Sequence, residues 1–132
     1  MRPTVSEQLA GISALLVNVV APHLDDDYAR GILLGAANAL TTLSATWHAI
    51  PGFLMWDSTI TAIILDLVGP PAPPPPGDRF DIPALEKHHR EVRELLEQSM
   101  PIILESATAR AATVALFRER AERFTSIAST NN

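Results

Sequence analysis

Few residues in this chain have the types and spacing that chemistry requires. Glu86-Lys87-His88-His89 places a carboxylate and an imidazole at i and i+3, on one face of a helix. A di-metal helical bundle needs two such motifs and a further Glu from each of two other helices. Here there is one motif, and Glu7 is the only Glu before it. Glu86 therefore reads as a surface ion-pair residue and His89 as an inward-leaning helix residue. His23, Asp25 and Asp27 gather oxygen and nitrogen donors in one loop, but three Asp at a helix start are already accounted for as cap and dipole partners. No strained G-x-S-x-G turn, P-loop or dinucleotide glycine motif is present. With no Cys, thiolate zinc and thiol catalysis are excluded. The expectation is a non-enzymatic protein with no catalytic residue, no metal site and no cofactor, a metal-dependent enzyme using Glu86, His89, His23 or Asp27 being the last alternative.

Binding features are more numerous. Asn18, Asn38, His48 and Asp66 lie inside mostly apolar stretches, and each needs a hydrogen-bond partner if buried. Their bland reading is packing specificity. Their sharper reading is a ligand cavity among the first three helices, suited to an apolar or acyl ligand. Gly31 and Gly35 form G-x-x-x-G, which lets a second helix approach closely, within the chain or across a dimer seam. Trp47, Phe53 and Trp56 cluster around Pro51-Gly52 and serve either as a core plug or as interface anchors. Pro70-x-x-Pro73 and Pro73-x-x-Pro76 match polyproline ligands, although a connector explains them more simply.

These residues are carried by helices. Val5, Leu9, Ile12, Leu16 and Val19 repeat at helical spacing behind a Thr4/Glu7 capping box, and Pro22 stops that helix. A second helix starts at Asp25 and ends at Pro51-Gly52; a third runs to Val68 on the stripe Ile60, Ile63, Ile64 and Leu67. Residues 69–77, GPPAPPPPG, hold six of the eleven prolines and must be extended. At about 3.1 Å per residue this segment matches a helix length, so it can cross from one end of a bundle to the other and make its flanking helices parallel. Asp81 caps a fourth helix with the stripe Leu85, His89, Val92, Leu96 and Met100. The pattern resumes in phase at Ile103, Ala107, Ala111, Val114, Ala121 and Phe124, so Pro101 either kinks one long helix or divides two. The tail from Ser126 is expected to fray. The predicted fold is all-α: a single domain, residues 1–132, holding one bundle of four to five helices.

Composition sets the outer limits. The 132 residues carry 10 Lys+Arg against 15 Asp+Glu, a net charge of −5, which argues against nucleic acid and anionic membranes as partners. Residues 53–68 are apolar but short, and they contain Asp57 and Asp66, so no membrane span is expected. Glu7, Gln8 and Asn18 interrupt any reading of the N-terminus as a secretory signal, which points to the cytoplasm. The first 69 residues hold 38 of the apolar residues with only Arg2 and Arg30 as cations. That excess over what the later helices can cover implies a two-fold homodimer. Its seam would use Gly31, Gly35, Trp47, Phe53 and Trp56.

The opening stretch, RPTVSEQLAGISALLVNVVAPHLDDDYARGILLGAANAL, resembles a family of small helical bacterial proteins. The likeness covers about the first 45 residues. It lies in Arg2-Pro3-Thr4, the first amphipathic helix, the acidic turn, and the Ala36 to Leu40 core of an Arg-containing helix. Members tend to be encoded beside aminoglycoside-phosphotransferase-like kinases and acyl-CoA dehydrogenases. The resemblance implies an accessory or partner-binding role beside a metabolic enzyme, and it brings no catalytic residue with it.

Overall fold

A computed structural model describes residues 3–129; Arg2 and the last three residues of the tail lie outside the described residues. The chain is all-α, 85% helical with no strand among the described residues. Five α-helices follow in order: α1 (Val5–Leu15), α2 (Asp27–Thr46), α3 (Ile50–Val68), α4 (Ile82–Glu105) and α5 (Ala107–Ser129). They group into two compact units, one reaching to His48 and the other spanning Ala49–Ser126.

In the first unit, Thr4 and Glu7 close the expected capping box, with Thr4 Oγ1 accepting from Glu7 N at 3.2 Å and Glu7 Oε2 from Thr4 N at 2.7 Å. The helix continues past Leu15 as a π turn, Leu16–Val20, and then tightens to a 3₁₀ turn, Ala21–His23. Pro22 explains the change, because its ring crowds the preceding turn and it cannot donate. Asp26, one residue beyond the predicted Asp25, is the N-cap of α2 and accepts from Tyr28 N. Arg30 holds the connecting loop by donating to the Leu24 carbonyl.

The seam between α1 and α2 is polar. Ser13 Oγ lies 2.7 Å from the Ala37 carbonyl and 2.8 Å from Thr41 Oγ1. Ser6 and Ser44 each donate to the other's carbonyl, and Trp47 Nε1 donates to Ser6 Oγ. The predicted inner stripe therefore divides. Leu9 and Leu16 are half-buried, whereas Val5, Ile12 and Val19 are exposed.

The second unit begins after a 3₁₀ turn, Trp47–Ala49, with Pro51 in the first turn of α3, where its missing N–H costs nothing. Pro51-Gly52 thus opens a helix as well as following one. The chain leaves α3 through Gly69 at φ 109°, a conformation that side-chain-bearing residues avoid. No regular secondary structure occupies residues 70–76, as the proline run demands. Buried His88 grips this strap, its Nε2–H donating to the Pro73 carbonyl at 3.0 Å.

Parallel packing of α3 and α4 follows. Asp57 bonds His89, and Ile64 shares a core with Leu96, so both pairs join positions 32 apart. Helix α5 runs antiparallel to α3, with Phe53 against Phe124 and Asp57 against Arg120. The core contains Ile64, Leu96, Ile103, Ala109 and Leu116, with Trp56, Ile60, Val68, Met100 and Ala112 packed around it.

Pro101 does not divide the last helices. Helix α4 runs through it to Glu105, and the break falls at Ser106, whose Oγ accepts from Ala109 N at 3.3 Å. That break resets the helical phase. The buried face of α5 is Ala109, Thr113 and Leu116, while the predicted Ala107, Ala111, Val114, Ala121 and Phe124 are exposed. Helix α3 also turns a different face inward from the predicted one, burying Asp57, Ser58, Thr61, Ile64 and Leu65 and exposing Ile63 and Leu67.

Because the cap and not the proline separates α4 from α5, Ser106→Ala should lower stability by about 1 kcal/mol in urea unfolding. Pro101→Ala should raise it, because it restores a helix donor and removes a clash. A loss in the second variant would show that Pro101 shapes the fold.

Candidate functional site

The chemistry of the second unit centres on Asp57, in the middle of the most apolar helix, with its side chain 3% exposed. The carboxylate survives there because two other helices bring donors to it. From α4, His89 Nε2–H donates to Oδ2 at 2.7 Å. From α5, Arg120 Nε donates to Oδ1, and its Nη2 reaches Oδ2 at 3.1 Å. Arg120 Nη2 also donates to Thr61 Oγ1 at 3.3 Å, and that hydroxyl donates to the Asp57 backbone carbonyl at 2.7 Å. Arg120 additionally lies over the Phe117 ring at 5.3 Å.

Burial alone would raise the Asp57 carboxyl. The hydrogen bonds from His89 and Arg120, together with their charge, outweigh that and hold it below its ordinary value. One consequence is chemical order. Asp57 fixes His89 as the Nε2–H tautomer when neutral, leaving Nδ1 as the basic nitrogen, and it fixes the plane of the Arg120 guanidinium.

Beside the cluster lies a cavity of about 200 Å³ lined by Phe53, Asp57, His89, Arg93, Arg120 and Phe124. The Phe53 and Phe124 rings meet edge to face at 5.7 Å. A shallower groove runs along one face of α5, between Arg110 and Arg118.

No known family model, curated protein or solved structure matches the chain. The reading of function therefore rests on its own residues.

Of the residues singled out from the sequence, His89 enters this cluster; Glu86 is exposed and outside it. His23, Asp25 and Asp27 are exposed, and no group of three His, Asp or Glu among the described residues is arranged to hold a metal ion. Asn18, Asn38, His48 and Asp66 are all exposed and line neither of these two cavities. Gly31 and Gly35 have open space where a Cβ would stand, so among the described residues they meet no close neighbour. Trp47 is half-buried, held by Ser6. Phe53 and Trp56 are half-buried in the second unit, where Arg123 lies 4.0 Å over the Trp56 ring.

Sequence reasoning missed Asp57 and Arg120. The signal was a single Asp on the same helical face as Thr61 and Ile64, which requires a cation from another helix; Asp66 sits on the outer face. Among the described residues, the buried Ser58 hydroxyl has no hydrogen-bond partner.

Replacing Asp57 with Asn should cost about 3–5 kcal/mol, since Arg120 loses its counter-charge in a largely buried site. A loss under 1 kcal/mol in chemical unfolding would remove the cluster from its central place. The lowered carboxyl also sets a pH dependence. The unfolded chain takes up the proton first, so stability is full above about pH 4 and falls as pH drops through the folded-state value. Asp57→Asn should flatten the acid limb of a stability–pH curve.

Proposed function

We propose that the chain is a helical interaction protein that self-associates through the α1–α2 hairpin, in an accessory rather than a catalytic role. One observation carries the reading: the hairpin is stitched by hydroxyls and alanine, while most of its large apolar side chains are exposed. Ile12, Leu15, Val17, Val19, Ile32, Leu34 and Leu43 are 39–58% exposed. A stable water-facing surface does not normally leave so much contiguous apolar area uncovered.

Two occupants suit such a face, a second copy or a bilayer. By length and composition alone, Val5–His23 and Asp27–Val68 are apolar enough to cross a membrane, each with a mean hydropathy of 1.3, and the first is only 11% buried. A second copy is favoured by Asn18 and Asn38, which sit exposed among those apolar residues. In hydrocarbon their amides would lack partners, whereas across a two-fold helical seam they can pair and set the register. Open space at Gly31 and Gly35 supports close approach of another helix there. The resemblance of the N-terminal third to small helical bacterial proteins encoded beside metabolic enzymes agrees with an accessory role.

Light scattering at micromolar concentration should give about twice the 14.3 kDa chain mass. Ile12→Glu combined with Ile32→Glu should return it to one chain mass without loss of helical signal. A wild-type mass of one chain would overturn the proposal, and so would cosedimentation of the wild type with neutral phosphatidylcholine vesicles in place of dimerisation.

A further inference from the structure

The cavity beside Asp57 has features that a packing gap does not need. Its lining combines two aromatic rings, Phe53 and Phe124, with two guanidinium side chains, Arg93 and Arg120. A gap left by imperfect packing is lined by apolar groups and stays dry; this one has cationic walls in a chain of net charge −5.

Arg120 is prepared in advance. Asp57, Thr61 and the Phe117 ring hold its plane, and Nη1 takes part in no hydrogen bond among the described residues. A guanidinium already immobilised loses little entropy when a ligand arrives. Arg93 has a different character. It is 59% exposed, and its one ion pair among the described residues, to the exposed Glu97, is long at 3.7 Å. It is therefore available to turn toward a ligand.

We infer that this cavity binds a small monocarboxylate with a flat apolar body, the carboxylate between Arg93 and Arg120 and the body against Phe53 and Phe124. The planar fork of Arg matches a carboxylate, and a flat ring suits the edge-to-face aromatic wall. Asp57 sets the charge of the ligand. Its ionised carboxylate lines the same cavity, which one negative charge tolerates beside two guanidiniums and a phosphate dianion does not. The inference is independent of self-association, since every residue it uses belongs to the second unit.

Benzoate is the probe, titrated into the full chain by calorimetry and followed by amide NMR shifts. Benzamide serves as the uncharged isostere and inorganic phosphate as the alternative anion. Saturable benzoate binding should move the resonances around Phe53, His89 and Phe124, and benzamide should bind at least about tenfold more weakly, as loss of a charge-assisted pair implies. Arg93→Gln should weaken benzoate about tenfold while circular dichroism and thermal unfolding stay as in the wild type. Phe124→Ala, another exposed position, should weaken benzoate and benzamide together. No benzoate binding at 10 mM overturns the inference. Equal binding of benzamide does the same by showing an apolar pocket only, equal competition by phosphate by showing a general anion site, and an unchanged affinity in Arg93→Gln by removing the arginine pair.

Discussion

The Asp57 carboxylate is the constraint around which the second unit is arranged. An ionised group at 3% exposure is intolerable without partners, and the two that satisfy it come from different helices. His89 meets it in one register of α4 against α3, and Arg120 in one register of α5. One buried charge thus selects a register for each neighbour, and the second pairs, Ile64 with Leu96 and Phe53 with Phe124, fix the directions. Apolar contacts among Ile64, Leu96, Ile103 and Leu116 supply the bulk of the burial, but they would tolerate slippage by a turn far better than this cluster does. Ion pairs of this kind are weak evidence of net stability and stronger evidence of specificity.

The first unit follows the opposite principle. Its helices meet through serine, threonine and alanine, which permit close approach and exchange side-chain for backbone hydrogen bonds, and most of its large apolar residues remain exposed. The two units therefore divide the tasks. One fixes an internal geometry with a buried charge; the other keeps an apolar surface available.

Much of the fold was legible from the sequence. Thr4, Asp81 and the proline run marked their boundaries because caps and prolines act locally, through backbone groups within three or four residues. Helical class followed from periodicity. Which face of each helix is buried was less legible. On α3 the apolar residues nearly encircle the helix, so Ile63 and Leu67 looked as good as Ile64 and Leu65. On α5 the phase was carried across Ser106 as though the helix were unbroken, because the conspicuous Pro101 drew attention from an ordinary serine cap. The candidate site was legible only in His89. Asp57 and Arg120 are 63 positions apart, and nothing local joins them. Asn18, Asn38, His48 and Asp66 looked like buried polar groups only under the assumption that their apolar neighbours were buried too.

The strap between α3 and α4 also acts as a ruler on the unfolded chain. Short flexible loops let consecutive helices fold back on each other, and an up-down hairpin of α3 with α4 would be the fastest structure to form. Six prolines in residues 69–77 hold that segment extended before any tertiary contact exists. The two ends of residues 70–76 are thereby kept about 22 Å apart, seven residues at about 3.1 Å each, which opposes closure of the hairpin. Helix α5, joined to α4 through Ser106 alone, is under no such constraint. The proline run so opposes a competing topology as well as spanning the observed one.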